Sequence, residues 1–497
     1  MLYQSTRGGE ERVASAKAIA QGLAEDGGLF IPDSFPHIEL RDLDRLVTKP
    51  YKDRAAYIVS LFLDDFSKEE LDQYASMAYS ARSFDHPDVA PLHKIDDNTH
   101  FLELWHGPTC AFKDMALQIM PYLLSAALQK SNESREVCIL VATSGDTGKA
   151  ALEGFRDVPG TRIMVFYPRD GVSDVQRLQM VSQNGGNVNV VAVTGNFDDT
   201  QTGVKSIFSD AALRKEFSDN GYFLSSANSI NWGRLVPQIA YYVSAYCDLI
   251  KNGELKLGEK VNFCVPTGNF GNILAAYYAE RMGLPVGRLV CASNRNDVLT
   301  QFIATGEYDV NRPFYTTVSP SMDILVSSNL ERLLFAISGR DGTAVSRYMS
   351  SLSKAGRYEV TAQMRDEIAR VFAGGMCTED ETLTTIASIF NSHEYLIDTH
   401  TAVAVKVLND YKSATGDDTT SVIVSTANPF KFCDSVLAAL GKTCTSVGVE
   451  ILDELSGITG MPIPAPLREL KSSPPRFNET VMPDGMKKAV FDFLRGR

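Results

Sequence analysis

From about Val137 onward the chain alternates short unbroken apolar runs, glycine-bearing polar turns and stretches with helical spacing. Residues 137–142 are apolar at every position, as suits a strand buried on both faces of a parallel sheet. Residues 163–167, 188–193, 261–265, 289–292 and 421–424 continue the alternation as further, mostly apolar strands. Such alternation predicts a doubly wound α/β sheet, in which ligands sit at the carboxyl ends of the strands. Upstream the texture differs. Helical periodicity over 15–23, 57–63 and 69–79, with a short strand at 29–31 stopped by Pro32, marks residues 1–94 as a separate N-terminal unit. A core follows over 95–450, with a smaller subdomain at about 135–235, and 451–497 forms a C-terminal extension. His93 and His100 flank the first boundary and read as surface or interface histidines.

One stretch precedes these strands: Leu104-Trp105-His106-Gly107-Pro108-Thr109-Cys110-Ala111-Phe112-Lys113-Asp114. Its Gly107-Pro108 turn leads into helical spacing that begins near Phe112 and runs through Met115, Ile119 and Leu123. Lys113 falls at or just inside the helix N-terminus, where the helix dipole disfavours a second positive charge. Phe112 and Met115 exclude water from it, and both effects lower a lysine pKa. A lysine so placed is a candidate Schiff-base nucleophile. Taken alone, a solvated helix-start lysine is the better reading.

Three loops at predicted strand ends supply matching parts. Thr143-Ser144-Gly145-Asp146-Thr147-Gly148 offers hydroxyls and exposed amides to a carboxylate or phosphate at a helix start. Helix capping by Ser144 and Asp146 accounts for it equally well. Gly148-Lys149 hints at a nucleotide P-loop, but Thr143 stands where the first glycine belongs and Ala150 where a serine or threonine belongs, which excludes nucleotide hydrolysis. The second loop is Pro266-Thr267-Gly268-Asn269-Phe270-Gly271-Asn272, ahead of a helical stretch at 273–281. Its glycines let backbone amides approach an anion while the helix N-terminus stabilises the charge. Lacking Gly-x-Gly-x-x-Gly, it suits one terminal phosphate. In the third, Asn228-Ser229-Ile230-Asn231-Trp232-Gly233-Arg234, an arginine beside two asparagines makes an anion clamp. Asn231 also reads as the cap of a helix from about Leu235.

Composition narrows the classes. With 497 residues, 44% hydrophobic and 22% charged, the chain is long enough for two or three domains and a large core. A formal net charge of -13 gives no general attraction to nucleic acid or anionic lipid, so any bound anion needs a locally built positive site. The eight cysteines are scattered without Cys-x-x-Cys pairs, which points to a reducing compartment without structural zinc or disulfides. Arg7, Glu10, Glu11 and Arg12 stand where a signal peptide needs its apolar core. The best apolar run, 239–250, is interrupted by Ser244 and Asp248. A soluble cytoplasmic protein, without nucleic-acid or membrane partners, is expected.

Taken together, the motifs resemble the threonine synthase family, in the branch with the longer bacterial and fungal enzymes. To the stretches above, the likeness adds Tyr3-Gln4-Ser5-Thr6-Arg7-Gly8, Gly22-Leu23-Ala24-Glu25-Asp26-Gly27-Gly28-Leu29, Ser319-Pro320-Ser321-Met322-Asp323 and Ser425-Thr426-Ala427-Asn428-Pro429 through Lys431-Phe432. All stand in the family's order. The family belongs to fold type II of the pyridoxal 5'-phosphate (PLP) enzymes, related to tryptophan synthase β. The resemblance implies two α/β domains with parallel-rich sheets around a central cleft, plus an N-terminal domain. It also implies that Lys113 carries PLP covalently and that Gly268, Asn269, Phe270, Gly271 and Asn272 cradle its phosphate. Asp146 takes the place beside the ring hydroxyl where many relatives have asparagine. Thr426 matches the partner of the pyridine nitrogen, a neutral hydroxyl that leaves the nitrogen less protonated. Asn428 stands where a histidine is common.

The implied reaction converts O-phospho-L-homoserine and water to L-threonine and phosphate, with Lys113 moving protons at Cα and Cβ. Two anions then need two sites. Thr143, Ser144, Thr147, Asn228 and Arg234 are assigned to the substrate and the glycine loop to the cofactor. Two alternatives stay open: another PLP lyase of this fold, such as a serine or threonine dehydratase or a phosphoamino-acid lyase, and an inactive relative serving as a scaffold. Arg234 counts against the first, since hydroxyamino acids carry no phosphate, and Lys113 against the second. The assembly expected is a monomer or homodimer, with no metal.

Overall fold

In the computed structural model, which describes residues 1–9 and 11–496, the apolar runs form the central strands of two sheets. The smaller has the order Thr480–Val481, Val188–Val193, Thr161–Pro168, Glu136–Ala142 and Tyr222–Ser225, all parallel. The larger has the order Phe372–Met376, Val286–Ser293, Val261–Pro266, Ser421–Ser425, Thr99–Glu103 and Leu92–Asp96, parallel except for the last pair. This is the two-unit, parallel-rich α/β arrangement that the family resemblance implied, and it replaces the single doubly wound sheet read from alternation. The helix Trp232–Lys251 carries the chain from one sheet to the other and is buried along most of its length. A helix apolar on nearly every side has to be packed on every side, so layers form around it.

The expected boundaries meet continuous structure. Leu92–Asp96 straddles residue 94 and pairs with Thr99–Glu103. From the expected C-terminal extension, Thr480–Val481 edges the smaller sheet, and Met486, Val490 and Leu494 join the core beneath it. In the N-terminal unit, Tyr3–Ser5 pairs antiparallel with Phe30–Pro32. The helix expected at 57–63 begins earlier, at Tyr51 behind Pro50, and ends at Ser60. His100 is not a surface histidine: it is buried on Thr99–Glu103, whereas His93 is exposed and stacks on Tyr395. No helix among the described residues is long and apolar enough to cross a membrane.

The helical spacing from Phe112 to Leu123 is broken into Asp114–Leu117 and Met120–Lys130. Pro121 has no N–H to offer the Leu117 carbonyl. Gly154, on the helix Asp146–Phe155, presses against that carbonyl, and a Cβ at Gly154 would collide with it. The break thus serves as the seat that brings the helix after the Asp146 loop close to the lysine turn. Gly154→Ala gains up to ~1 kcal/mol in an open helix; here it should lower stability by about 1–3 kcal/mol through overpacking. A urea midpoint equal to or above the parent's would show that the contact has slack.

Candidate active site

Lys113 is presented by a turn that its neighbours hold shut. Thr109 N and Oγ1 each donate to the Asp114 carboxylate at 2.8 Å. Gly107 is required above this carboxylate, because a Cβ there would lie 2.5 Å from Asp114 Cβ. On the other side, Ala111 bridges Ala427, and Phe112 N donates to Thr426 O at 2.8 Å. The lysine turn is thereby stitched to the chain leaving Ser421–Ser425, which puts Thr426 beside Lys113. Lys113 Nζ, 4.6 Å from the centre of the Phe112 ring, stands 3.5 Å from Asp146 Oδ2.

The Asp146 loop closes over its own hydroxyl. Thr143 Oγ1 accepts from Gly145 N at 2.9 Å and Gly148 N at 2.8 Å, so Thr143 shapes the loop from beneath while Ser144 and Thr147 stay half-buried on it. Gly145, at φ 131°, starts the helix Asp146–Phe155. Asn228 reaches the same loop, donating from Nδ2 to Ala142 O at 3.2 Å. Asn231 caps the helix, which starts at Trp232 rather than near Leu235. Arg234, 3% exposed, donates from Nη1 to Ala227 O at 2.7 Å. Its Nε is buried without a partner among the described residues.

A second cradle lies in the glycine loop. Phe270 adopts a left-handed conformation, φ 61°, at the start of the helix Gly271–Arg281. A Cβ on Gly268 would lie 2.7 Å from Ser321 O, so the Ser319–Asp323 motif packs directly on the loop. Asn269 O accepts from Asn329 N and Nδ2, both at 3.1 Å. Tyr241 and Tyr242 both donate to Asn272 Oδ1, at 2.5 and 2.6 Å. Asn272 Nδ2 is left as a buried donor with no partner among the described residues. Unmet donors at the start of an 11-residue helix suit an anion.

Charge completes the picture. Burial lowers the Lys113 pKa; Asp146 opposes the shift, while Arg234 and Lys431 reinforce it. Burial is the exclusion of water expected from sequence, and the neighbouring charges add to it. Burial pushes Arg234 down to about 10 and Asp114 up to about 6. For Asp146, burial favours the neutral form, but Lys431 and then Lys113 outweigh it and hold the carboxyl below its usual range. Lys431 is the residue that sequence reasoning missed. It stood between Phe430 and Phe432, and a cation between two aromatics was the available signal. Its Nζ lies 2.9 Å from Asp146 Oδ1.

Three family models match the chain: "Threonine synthase N terminus" over residues 2–79, "Pyridoxal-phosphate dependent enzyme" over 88–427 and "Threonine synthase, C-terminal" over 401–490. Threonine synthase from Pseudomonas aeruginosa is 39% identical over 445 residues, 88% of this chain and 90% of that one. Human threonine synthase-like 1 is 40% identical over 445 residues, 87% of this chain, and the match spans only 59% of its own length. The crystal structure of PLP-bound threonine synthase from Brucella melitensis superposes with a TM-score of 0.87 at 37% identity, covering 100% of both chains.

Beside the lysine turn, His106 is held between Asp85, at 2.6 Å from Nδ1, and Glu103, at 2.7 Å from Nε2. Burial opposes its charge, but these two hydrogen-bonded carboxylates raise its pKa to about 9. A raised folded-state pKa stabilises the protein fully below the unfolded value near 6.5 and loses that stability as pH rises through about 9. The urea midpoint of His106→Gln should therefore fall well below the parent's at pH 6 and converge on it towards pH 10. A gap that is constant with pH would remove the ion pair as its cause.

Proposed function

The chain belongs to the threonine synthase family of pyridoxal-phosphate-dependent enzymes, and from that premise we propose that it converts O-phospho-L-homoserine and water to L-threonine and phosphate. The observation that supports the reading is a pair of buried donors in different loops, Arg234 Nε and Asn272 Nδ2, each unmet among the described residues, in a protein whose Lys113 is desolvated. One phosphate would not need both.

The cofactor fits the residues present. Gly268, Asn269, Phe270, Gly271 and Asn272 would hold its phosphate: Gly268 has no room for a side chain and Asn272 Nδ2 lacks an acceptor. Lys113 would bind it covalently, with Asp146 towards its ring hydroxyl and Thr426 towards its ring nitrogen. When bound, pyridoxal phosphate withdraws electrons from the substrate's Cα and makes that proton removable. The protein's share is placement and proton transfer. The Lys113 amine, kept below its ordinary basicity by burial, takes a proton at Cα, serves Cβ and returns one at the end. Arg234 would grip the leaving phosphate together with Ser144, Thr147 and Asn228, on the loop that Thr143 shapes.

A cytoplasmic location, a monomer or homodimer and a three-part chain belong to the same reading. The strand Leu92–Asp96 goes with the catalytic core in that division. An absorbance spectrum with O-phospho-L-homoserine, combined with assays of released phosphate and threonine, tests the reaction.

Two substitutions probe the roles. Lys113→Ala should abolish turnover, and borohydride should no longer fix the cofactor to the protein. Threonine formation near the parent rate would end the assignment. Arg234→Ala removes a charge-assisted contact worth roughly 1.5–3 kcal/mol, so kcat/KM for O-phospho-L-homoserine should fall by about one to two orders of magnitude. Cofactor content should stay near one per chain, because the second cradle is untouched. Loss of the cofactor with retained preference for the phosphorylated substrate would mean the two cradles are assigned in reverse.

A further inference from the structure

Lys431 is fully buried in the turn Pro429–Phe432 and has no part in the chemistry above. Its Nζ donates to Thr109 O and to Gln179 Oε1, each at 2.8 Å, and pairs with Asp146 Oδ1 at 2.9 Å. The other oxygen of Asp146 is the one that faces Lys113 Nζ, at 3.5 Å. Gln176 Nε2, donating to Oδ1 at 2.7 Å, fixes the plane of the carboxylate. One carboxylate is therefore divided between two buried lysine nitrogens, and the shorter contact goes to the lysine that does no chemistry.

We propose that Lys431 is a positioning residue that claims Asp146 and so keeps the Lys113 nitrogen short of protonation, available as nucleophile and base. The inference rests on Lys113 being the cofactor lysine. Opposite and like charges within a few ångströms move a titration in opposite senses, and here the charges facing Lys113 come from three elements. Asp146 opens the helix Asp146–Phe155, Arg234 lies on Trp232–Lys251, and Lys431 lies in the turn Pro429–Phe432. Asp114 stands behind them, among the charges that act on Arg234, and Lys431 acts on Asp114 in turn. A purely structural tie would need only the two neutral acceptors, Thr109 O and Gln179 Oε1. The third contact, to the carboxylate that Lys113 also needs, is what couples the two lysines.

The test is the pH titration of the bound cofactor's absorbance in the parent and three variants. Lys431→Met removes a cation and frees Asp146 for Lys113, so the midpoint should rise by about one unit or more. Asp146→Asn removes the anion and leaves Lys431, so the midpoint should fall. The double variant Asp146→Asn/Lys431→Met should lie above Asp146→Asn and close to the parent. That comparison decides the matter even if Lys431→Met alone fails to fold. A Lys431→Met protein with lowered melting temperature but an unmoved midpoint, or single variants that shift in the same direction, would overturn the inference. Parent protein that takes up no pyridoxal phosphate would overturn the proposed function with it, whereas a parent spectrum with unmoved midpoints overturns this inference alone.

Discussion

The carboxylate of Asp146 lies between two buried lysine nitrogens, and the site is arranged around how that charge is shared. Lys113, Arg234 and Lys431 are all buried, and removing an ion of this kind from water costs several kcal/mol even after relaxation. Compensation is graded across the three. Lys431 has two neutral acceptors besides its carboxylate. Lys113 has only the more distant oxygen of that carboxylate, and Arg234 has a backbone carbonyl and an unmet Nε. Lys431 thus has the best partners of the three, and Lys113 and Arg234 the poorest.

Holding this imbalance requires a rigid frame, and the N-terminal unit supplies part of it. Thr6 Oγ1 donates to Glu331 at 2.6 Å, and Arg7 grips the same carboxylate from Nε and Nη2 at 2.9 and 3.0 Å. The adjacent Arg332, fully buried, donates to Phe30 O, Ile230 O, Ser229 O and Asn329 Oδ1. Asn329 in turn donates to Asn269 O and Ser229 Oγ. One helix, Leu330–Ile337, thus ties the Thr6-Arg7 motif to both anion loops. Trp232 packs against Tyr3 and Phe62, with ring centres 5.3 and 5.6 Å apart, so the start of the clamp helix rests on N-terminal side chains. Bidentate arginine contacts carry geometry as well as energy, which is what a preorganised anion site needs.

Local pattern made the strands legible because burial on both faces leaves an unbroken apolar run. Val188–Val193 has the bounds its run suggested, and its neighbours extend theirs by a few residues. The turns from strand to helix were legible because glycine, asparagine and hydroxyl residues cluster there. What stayed hidden depends on distant partners. Nothing in the apolar runs says which strands pair, so the division into two sheets was not visible. The break after Leu117 needs Pro121 together with Gly154 from another helix. His100 follows polar Thr99 and still is buried, on a strand interior to the larger sheet, between Leu92–Asp96 and Ser421–Ser425. Lys431 shows the same limit: its partners Thr109, Asp146 and Gln179 are far away in sequence.

Under the reading proposed above, the unmet donor of Arg234 also explains why a phosphorylated substrate would be preferred. A buried guanidinium with one carbonyl partner carries a desolvation cost in the free protein. A phosphate dianion that accepts from it relieves that cost and adds a charge-assisted contact. A hydroxyamino acid fills the same space and leaves the cost in place. Discrimination of this type arises from what the wrong ligand fails to satisfy, and it exceeds what a shape difference of one group achieves. The glycine loop follows the opposite logic with the same physics. Its acceptor side is already saturated by Tyr241 and Tyr242, so only a donor, Asn272 Nδ2, is offered to the ligand, and the loop is selective for acceptors.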